Sequence, residues 1–507
     1  MHKILPLLLF LLIQSIGGNL GAQADSTVMY TFGGTSEDVG RDIISTRDKG
    51  YLVTGSTGSF GNGNSDIYVL KLDSAFTKQW SIALGGPQIE TGYKGLQTLD
   101  GGYLILGSTN SFGSGGYDAY VVKLDANGAV EYQETYGGAD WDFFYGGAIL
   151  PDGSSILVGE TNSSGNDGSE AFAVKVNVFG IKVWEKTYGG TANDLFRGAL
   201  ITSSNMLLCY GSSGSHNTDK NLDHYLMFLN FDGEEQDKWT FGGELEDGTN
   251  HVSETSDGSF LLSGYSKSPQ MSVDKDAQML KVRNDTLVWE KNAGHNSSGS
   301  NNNDEFYGSF ENSDGNIFYT GYTETFGSGD ADIILSVASS GQWDIAGRAG
   351  TIGGNVEDVS YAIIKKGNQG AVVVGSTRNF GGIYSNIFVL AVDSVKIFPD
   401  FYGDPSVSFI HFEDTLGQDT TLLSADQVNT PSISFFVESD GKHIQISGLP
   451  AEDAFLQVYN LSGQLVYEQE VIMNSRIALP FLESAVFIGQ LSTQNVSIHK
   501  KFQVLSE

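Results

Sequence analysis

The chain has 507 residues, 28 basic against 61 acidic side chains, a net charge of −33 and one cysteine. A field of that sign repels phosphate backbones and anionic lipid, which excludes nucleic acid and charged membrane surfaces as partners. A single cysteine forms no internal disulfide, so a fold of this length must rest on its apolar core.

Residues 1–24 open with Lys3, an apolar run from Ile4 to Ile13, and Ala22-Gln23-Ala24 at the position of a signal-peptidase site. A cleaved export signal is expected there. The run is shorter than the ~20 residues that span a bilayer and no later stretch approaches it, so the expectation is a soluble, exported monomer without membrane insertion.

From residue 25 to 394 one pattern recurs: an aromatic strand, Gly-Gly and an acid, then a turn and an apolar run ending in Gly. The run-ending glycines are Gly55, Gly107, Gly159, Gly211, Gly264, Gly321 and Gly375, at steps of 52, 52, 52, 53, 57 and 54 residues. Eleven or twelve residues after each comes a third apolar strand, as in DIYVLKLD from Asp66 or NIFVLAVD from Asn386. Four short strands per unit, with no helical period, predict an all-β chain folded as a seven-bladed β-propeller. The Gly-Gly strand also occurs once before the first complete unit, as VMYTFGG, while the seventh unit lacks its copy. Residues 26–34 are therefore expected to supply the fourth strand of the last blade and remove an open edge. Cys209, in the string MLLCYG, reads as a small buried hydrophobe.

The recurring acids are Asp38, Glu90, Asp142, Asp194, Asp247, Asp304 and Asp358. Catalysis needs one asymmetric constellation, so a residue repeated in every blade reads as a structural acceptor of backbone hydrogen bonds, and each Gly-Gly as a turn needing positive φ. Function is sought where the repeat varies. Three residues after each acid stand Arg41, Tyr93, Tyr145, Arg197, Asn250, Tyr307 and Tyr361, a set expected either to surround the mouth of the central channel or to plug its axis. Tyr and Arg at a concave mouth suit sugars or a protein loop. Trp141 departs from the other tryptophans by lying inside a Gly-Gly loop, where it is either a binding platform or packing between blades. The Asn/Ser/Gly-rich insertion around His295 reads as a flexible loop, and His216 and His224 are spaced too loosely for a zinc pair. No cofactor is expected; calcium at the acidic loops is the one candidate. No nucleophile, base and orienting group can be read together, so no catalytic residue is predicted.

Residues 395–431 read as an irregular, acidic linker, and 432–507 as a small β-sandwich of alternating strands with turns at Asp440-Gly441 and Ser462-Gly463.

The segments YGGTANDLFRGA, DGGYLILGSTNSFGSGGYDAYVVKLD and VWEKTYGG resemble the SBBP-type β-propeller repeats of bacterial surface and secreted proteins. The resemblance covers about residues 28–394 and implies an extracytoplasmic propeller without general enzymatic activity. The ordered set QVYNLSGQLV, AVFIGQL and HKKF resembles the type A sorting domain of the type IX secretion system. That likeness implies the secretion machinery as a partner through residues 432–507, and release or anchoring outside the cell. The expected function is non-enzymatic binding or adhesion, with a polysaccharide or surface protein at the channel mouth. The competing classes are a polysaccharide hydrolase or lyase and a structural surface-layer component.

Overall fold

The computed structural model describes residues 27–392 apart from 165–167, 268–273, 295–301, 327–329, 339–349 and 381–383, and beyond them eight strands between 407 and 504. The expected export signal, His295 and most of 395–431 lie outside the described residues.

Seven blades, each of four antiparallel strands, stand in a ring. The first blade runs outward through Asp38–Ser45, Tyr51–Thr57, Asp66–Leu72 and Lys78–Leu84. The innermost strands of the other blades begin at Glu90, Asp142, Asp194, Asp247, Asp304 and Asp358, and each packs beside the next around the axis. Second and third strands are buried along nearly their whole length, because each blade presents both faces to neighbours. The fourth strands are wetter: Lys182–Tyr188 is exposed at alternate positions. Outer-strand aromatics join successive blades. A Cβ on Gly128 would lie 2.9 Å from the Trp80 ring and one on Gly180 2.5 Å from Tyr132, so the aromatic of one blade lies on the bare turn of the next. Cys209 is fully buried, and burial pushes its thiol up, away from the reactive thiolate.

The ring closes as the repeat phase predicts. Thr27–Gly33 pairs antiparallel with Asn386–Val392 as the fourth strand of blade seven, burying Met29 and Phe32. Its other edge is not free. Val407–Glu413, within the stretch read as linker, pairs parallel with Thr27–Gly33 and makes this sheet five-stranded. Nearer the C terminus, Ser434–Val437, His443–Ser447 and Arg476–Ala478 form one sheet. Leu465–Val471, Ala454–Asn460, Ala485–Ser492 and Ser497–Val504 form another. Among the described residues no helix is long and apolar enough to cross a membrane.

Candidate functional site: an axial collar and an adjoining cleft

In every blade the ladder between the first and second strands slips by one residue, for example between Phe144 and Gly146 and between Phe196 and Gly198. The residues left opposite no partner are Arg41, Tyr93, Tyr145, Arg197, Asn250, Tyr307 and Tyr361. These are the seven variable positions singled out from the sequence, and a β-bulge re-aims its extra side chain out of the strand's alternation. The glycine that ends each apolar run faces the residue just before the bulge. A Cβ there would lie between 1.8 and 2.1 Å from a carbonyl oxygen of the inner strand, at all seven glycines from Gly55 to Gly375. The bulge draws that carbonyl over the second strand, and only a hydrogen fits beneath it.

The bulge side chains touch one another around the axis. Tyr307 meets Tyr361 edge-on at 5.2 Å between ring centroids, and Tyr93 meets Tyr145 at 5.0 Å. The Arg41 guanidinium lies 5.5 Å from the ring centroids of both Tyr361 and Tyr93, and that of Arg197 lies 4.5 Å from Tyr145. Asn250 turns aside and donates to Glu305 Oε2 at 3.1 Å and to the Phe306 carbonyl at 3.2 Å. The result is a collar of four tyrosines and two arginines in unbroken contact, with Arg197 exposed to solvent and the others partly so.

Glu305 is further held by Lys275 at 2.8 Å, and Lys275 sits 3.8 Å from the centre of the Tyr265 ring. Tyr265 donates to Glu246 at 2.6 Å. Glu160 accepts the Tyr145 hydroxyl at 2.5 Å. Glu160, Tyr265 and Tyr322 were not anticipated. They occupy the position just after the run-ending glycine, where the other four blades carry Ser56, Ser108, Ser212 and Ser376, and that departure was available in the sequence.

Beside the collar, between blades three and four, opens a cleft of about 490 Å³ lined by Trp141, Phe143, Glu160, Asn162, Asn193 and others. Trp141 is 56% exposed, the largest value among the exposed large hydrophobics of the described residues. It stands edge-on to Tyr117 at 5.9 Å; Tyr117 stacks on Phe143 at 5.8 Å, and Phe143 stacks on Tyr145 at 5.7 Å with an interplanar angle of 4°. An aromatic track thus leads from the surface to the collar.

The repeated acids are buried at the first residue of each innermost strand. Asp142 accepts from the Gly138 amide at 2.8 Å and from Ser163 Oγ at 2.8 Å, and also from the Thr161 hydroxyl; Asp38 and Asp194 repeat the arrangement. A second acid stands at the start of each third strand in blades one to six, and in blades one, four and six a Cβ on the intervening glycine would meet both it and the next blade's first acid. A Cβ on Gly85 would sit 2.1 Å from Asp66 Oδ1 and 2.3 Å from Glu90 Oε2. Those carboxylates account for the first glycine of the Gly-Gly pair. Gly137 and Gly189 have positive φ, but Gly85 and Gly242 do not, so handedness is not the general reason. In blade seven the third-strand position is Asn386, which faces Asp38. Among the described residues no group of three or more His, Cys, Asp or Glu side chains is placed to hold a metal. His224 is buried between Thr249 at 2.8 Å and Gln278 at 2.6 Å, and His216 bonds Ser213 at 2.7 Å, so each imidazole is satisfied separately.

No known protein family and no curated protein matches the chain. Among solved structures it is similar to a protein of unknown function from Dyadobacter fermentans, with 11% identity, TM-score 0.42, and coverage of 73% of this chain and 98% of that one. It is also similar to the Neurospora crassa Pan2 WD40 domain (10%, 0.38, 72% and 98%) and to a periplasmic gluconolactonase of Pseudomonas aeruginosa (10%, 0.36, 85% and 100%). Likenesses this distant assign no activity. What the chain's own topology establishes is a seven-bladed β-propeller with a bulge-built collar on its axis.

Proposed function

We propose that the protein is an exported, non-enzymatic binding propeller whose ligand is a polysaccharide, held in the cleft at blades three and four. The carrying observation is the track from exposed Trp141 through Phe143 to Tyr145, beside amides and carboxylates. Flat rings bind the apolar faces of sugars at low entropic cost, and Asn162, Asn193 and Glu160 supply hydrogen bonds to hydroxyls. The export signal at 1–24 and the sorting-type module at 432–507 belong to the same proposal, with the type IX secretion machinery as the partner of the latter. The test is a glycan and polysaccharide array on the full chain beside Trp141→Ala. Binding lost in the variant supports the reading; no binding by a well-folded native chain sinks it.

A polysaccharide-active enzyme is the second reading, favoured by one observation, the Tyr145–Glu160 pair at the mouth. Burial, reinforced by Glu160, pushes the Tyr145 hydroxyl well above the ordinary tyrosine value, which keeps it protonated and unfit to serve as a base. A product assay on any array hit separates the two: new ends released by the native chain and not by Tyr145→Phe would make it an enzyme.

A further inference from the structure

The collar holds two cations with nothing to bind. Among the described residues neither the Arg41 nor the Arg197 guanidinium makes a hydrogen bond or an ion pair, and Arg41 Nε is buried without a partner. Both lean on aromatic faces, which leaves their donors unspent. The anions around them are engaged elsewhere: Glu160 accepts from Tyr145, and Glu305 is shared by Lys275 and Asn250. The arginines stand on blades one and four, on opposite sides of the ring, and Tyr307 lies within electrostatic reach of both. Guanidinium groups with unspent donors, set among the tyrosines of one collar, make a site for a compact planar anion.

We infer that the collar binds a single carboxylate, carried at the end of an otherwise neutral glycan whose sugars lie along the track to Trp141. This rests on the glycan reading above and sharpens it. The restriction to one charge follows from the whole molecule: at a net −33, a polyuronate meets repulsion along its length, whereas one carboxylate at the collar meets a guanidinium whose donors are unspent. A carboxylate matches the planar fork of Arg bidentately, and the neutral sugars need only aromatic faces and the amides of the cleft.

The experiment is calorimetric titration of the full native chain with xylo-, gluco- and manno-hexaoses. Each is offered neutral, ending in one glucuronate, and with that glucuronate reduced to the alcohol; a polyuronate of similar length completes the panel. The expected result is binding at least tenfold tighter for one acid-ended hexaose than for its reduced form, with the polyuronate weaker than the acid-ended chain. In Arg41→Gln/Arg197→Gln that preference vanishes while the affinity for the reduced chain is kept. Equal affinity for acid-ended and reduced chains overturns the carboxylate site and leaves the glycan reading standing; so does a preference that survives in the double variant. Failure of every hexaose to bind a folded native chain overturns both. The first comparison uses only the native protein, so misfolding of the variant does not shelter the inference.

Discussion

Replacing Gly159 with alanine tests the link between the bulge, the collar and the repeat. The added Cβ would lie 1.8 Å from the Phe143 carbonyl oxygen, 2.7 Å from its carbon and 3.0 Å from Phe144 Cα, backbone on every side. Restoring an ordinary contact needs roughly 1.4 Å of separation between strands spaced about 4.8 Å, enough to break about two ladder bonds at ~1 kcal/mol each. Overpacking adds ~1–3 kcal/mol, so the loss is about 4 kcal/mol. An unfolding entropy of ~2.1 cal/mol/K per residue over the propeller converts this to a fall in Tm of roughly 5 °C. The matched control is Gly258→Ala, where φ is +76° but no heavy atom lies within 4 Å of the new carbon. Strain alone costs ~1–2 kcal/mol there, or about 2 °C. Differential scanning calorimetry on both reads the difference. A Gly159→Ala melt within about 1 °C of the native chain would refute the account of why every apolar run ends in glycine.

Deleting residues 26–34 removes the closing strand and uncovers the edges of both Asn386–Val392 and Val407–Glu413; a sharp fall in Tm and aggregation by light scattering are expected, and an unchanged melt rejects the closure. Burial pushes the Asp66, Asp223 and Asp304 carboxyls up to about 6. Their folded values exceed the unfolded value near 4, so the native state binds protons more tightly: the stability they contribute is full below pH ~4 and lost as pH rises through ~6. At about 1 kcal/mol each after solvent screening, these carboxyls lower Tm from pH 5 to pH 8, while the buried imidazoles of His224 and His251, held below their ordinary value by burial, act in the opposite sense over the same window; Asp223→Asn should therefore raise Tm relative to the native chain more at pH 8 than at pH 5, and an equal effect at both pH values refutes this. Tyr145→Phe deletes the hydroxyl held by Glu160 and leaves the stacking on Phe143, so array binding should weaken by about tenfold while Trp141→Ala abolishes it; equal losses would place the hydroxyl and not the ring track at the centre of recognition.

Ring, blade count and closure were legible because each unit must bury both faces of its middle strands, and an apolar run with a fixed period records that need directly. The collar was half legible. Counting three residues on from each acid found all seven bulge positions, six of which form the collar, but not the reason they leave the sheet. A bulge shows in sequence only as an eight-residue inner strand, such as Asp142–Ile149, opposite a seven-residue neighbour, Ser155–Thr161. Glu160 stayed hidden inside the ordinary strand SILVGET, and only comparison with serine in the sister blades marks it. The third-strand acids were visible as landmarks yet carried no assignment, since the carboxylates they meet lie in the next blade. The strand Val407–Glu413 has no counterpart in the repeat, so periodicity could not announce it.

Thr27–Gly33 lies between two strands made far later, Asn386–Val392 and Val407–Glu413, one antiparallel and one parallel to it. Roughly 350 residues separate it from the first of these, which at 5–20 residues per second is about 20–70 s of ribosome time. Through that interval six blades can form while the seventh waits, with Met29 and Phe32 of the early strand lacking the surface that buries them. In a chain that folds as it is made, ring closure is therefore the last event, whatever the intrinsic speed of the hairpins. A circular permutant that begins at residue 35 and carries Thr27–Gly33 after Val392 turns this pairing into a local one, and by shortening the loop to be closed it should speed the slowest refolding phase of the native chain.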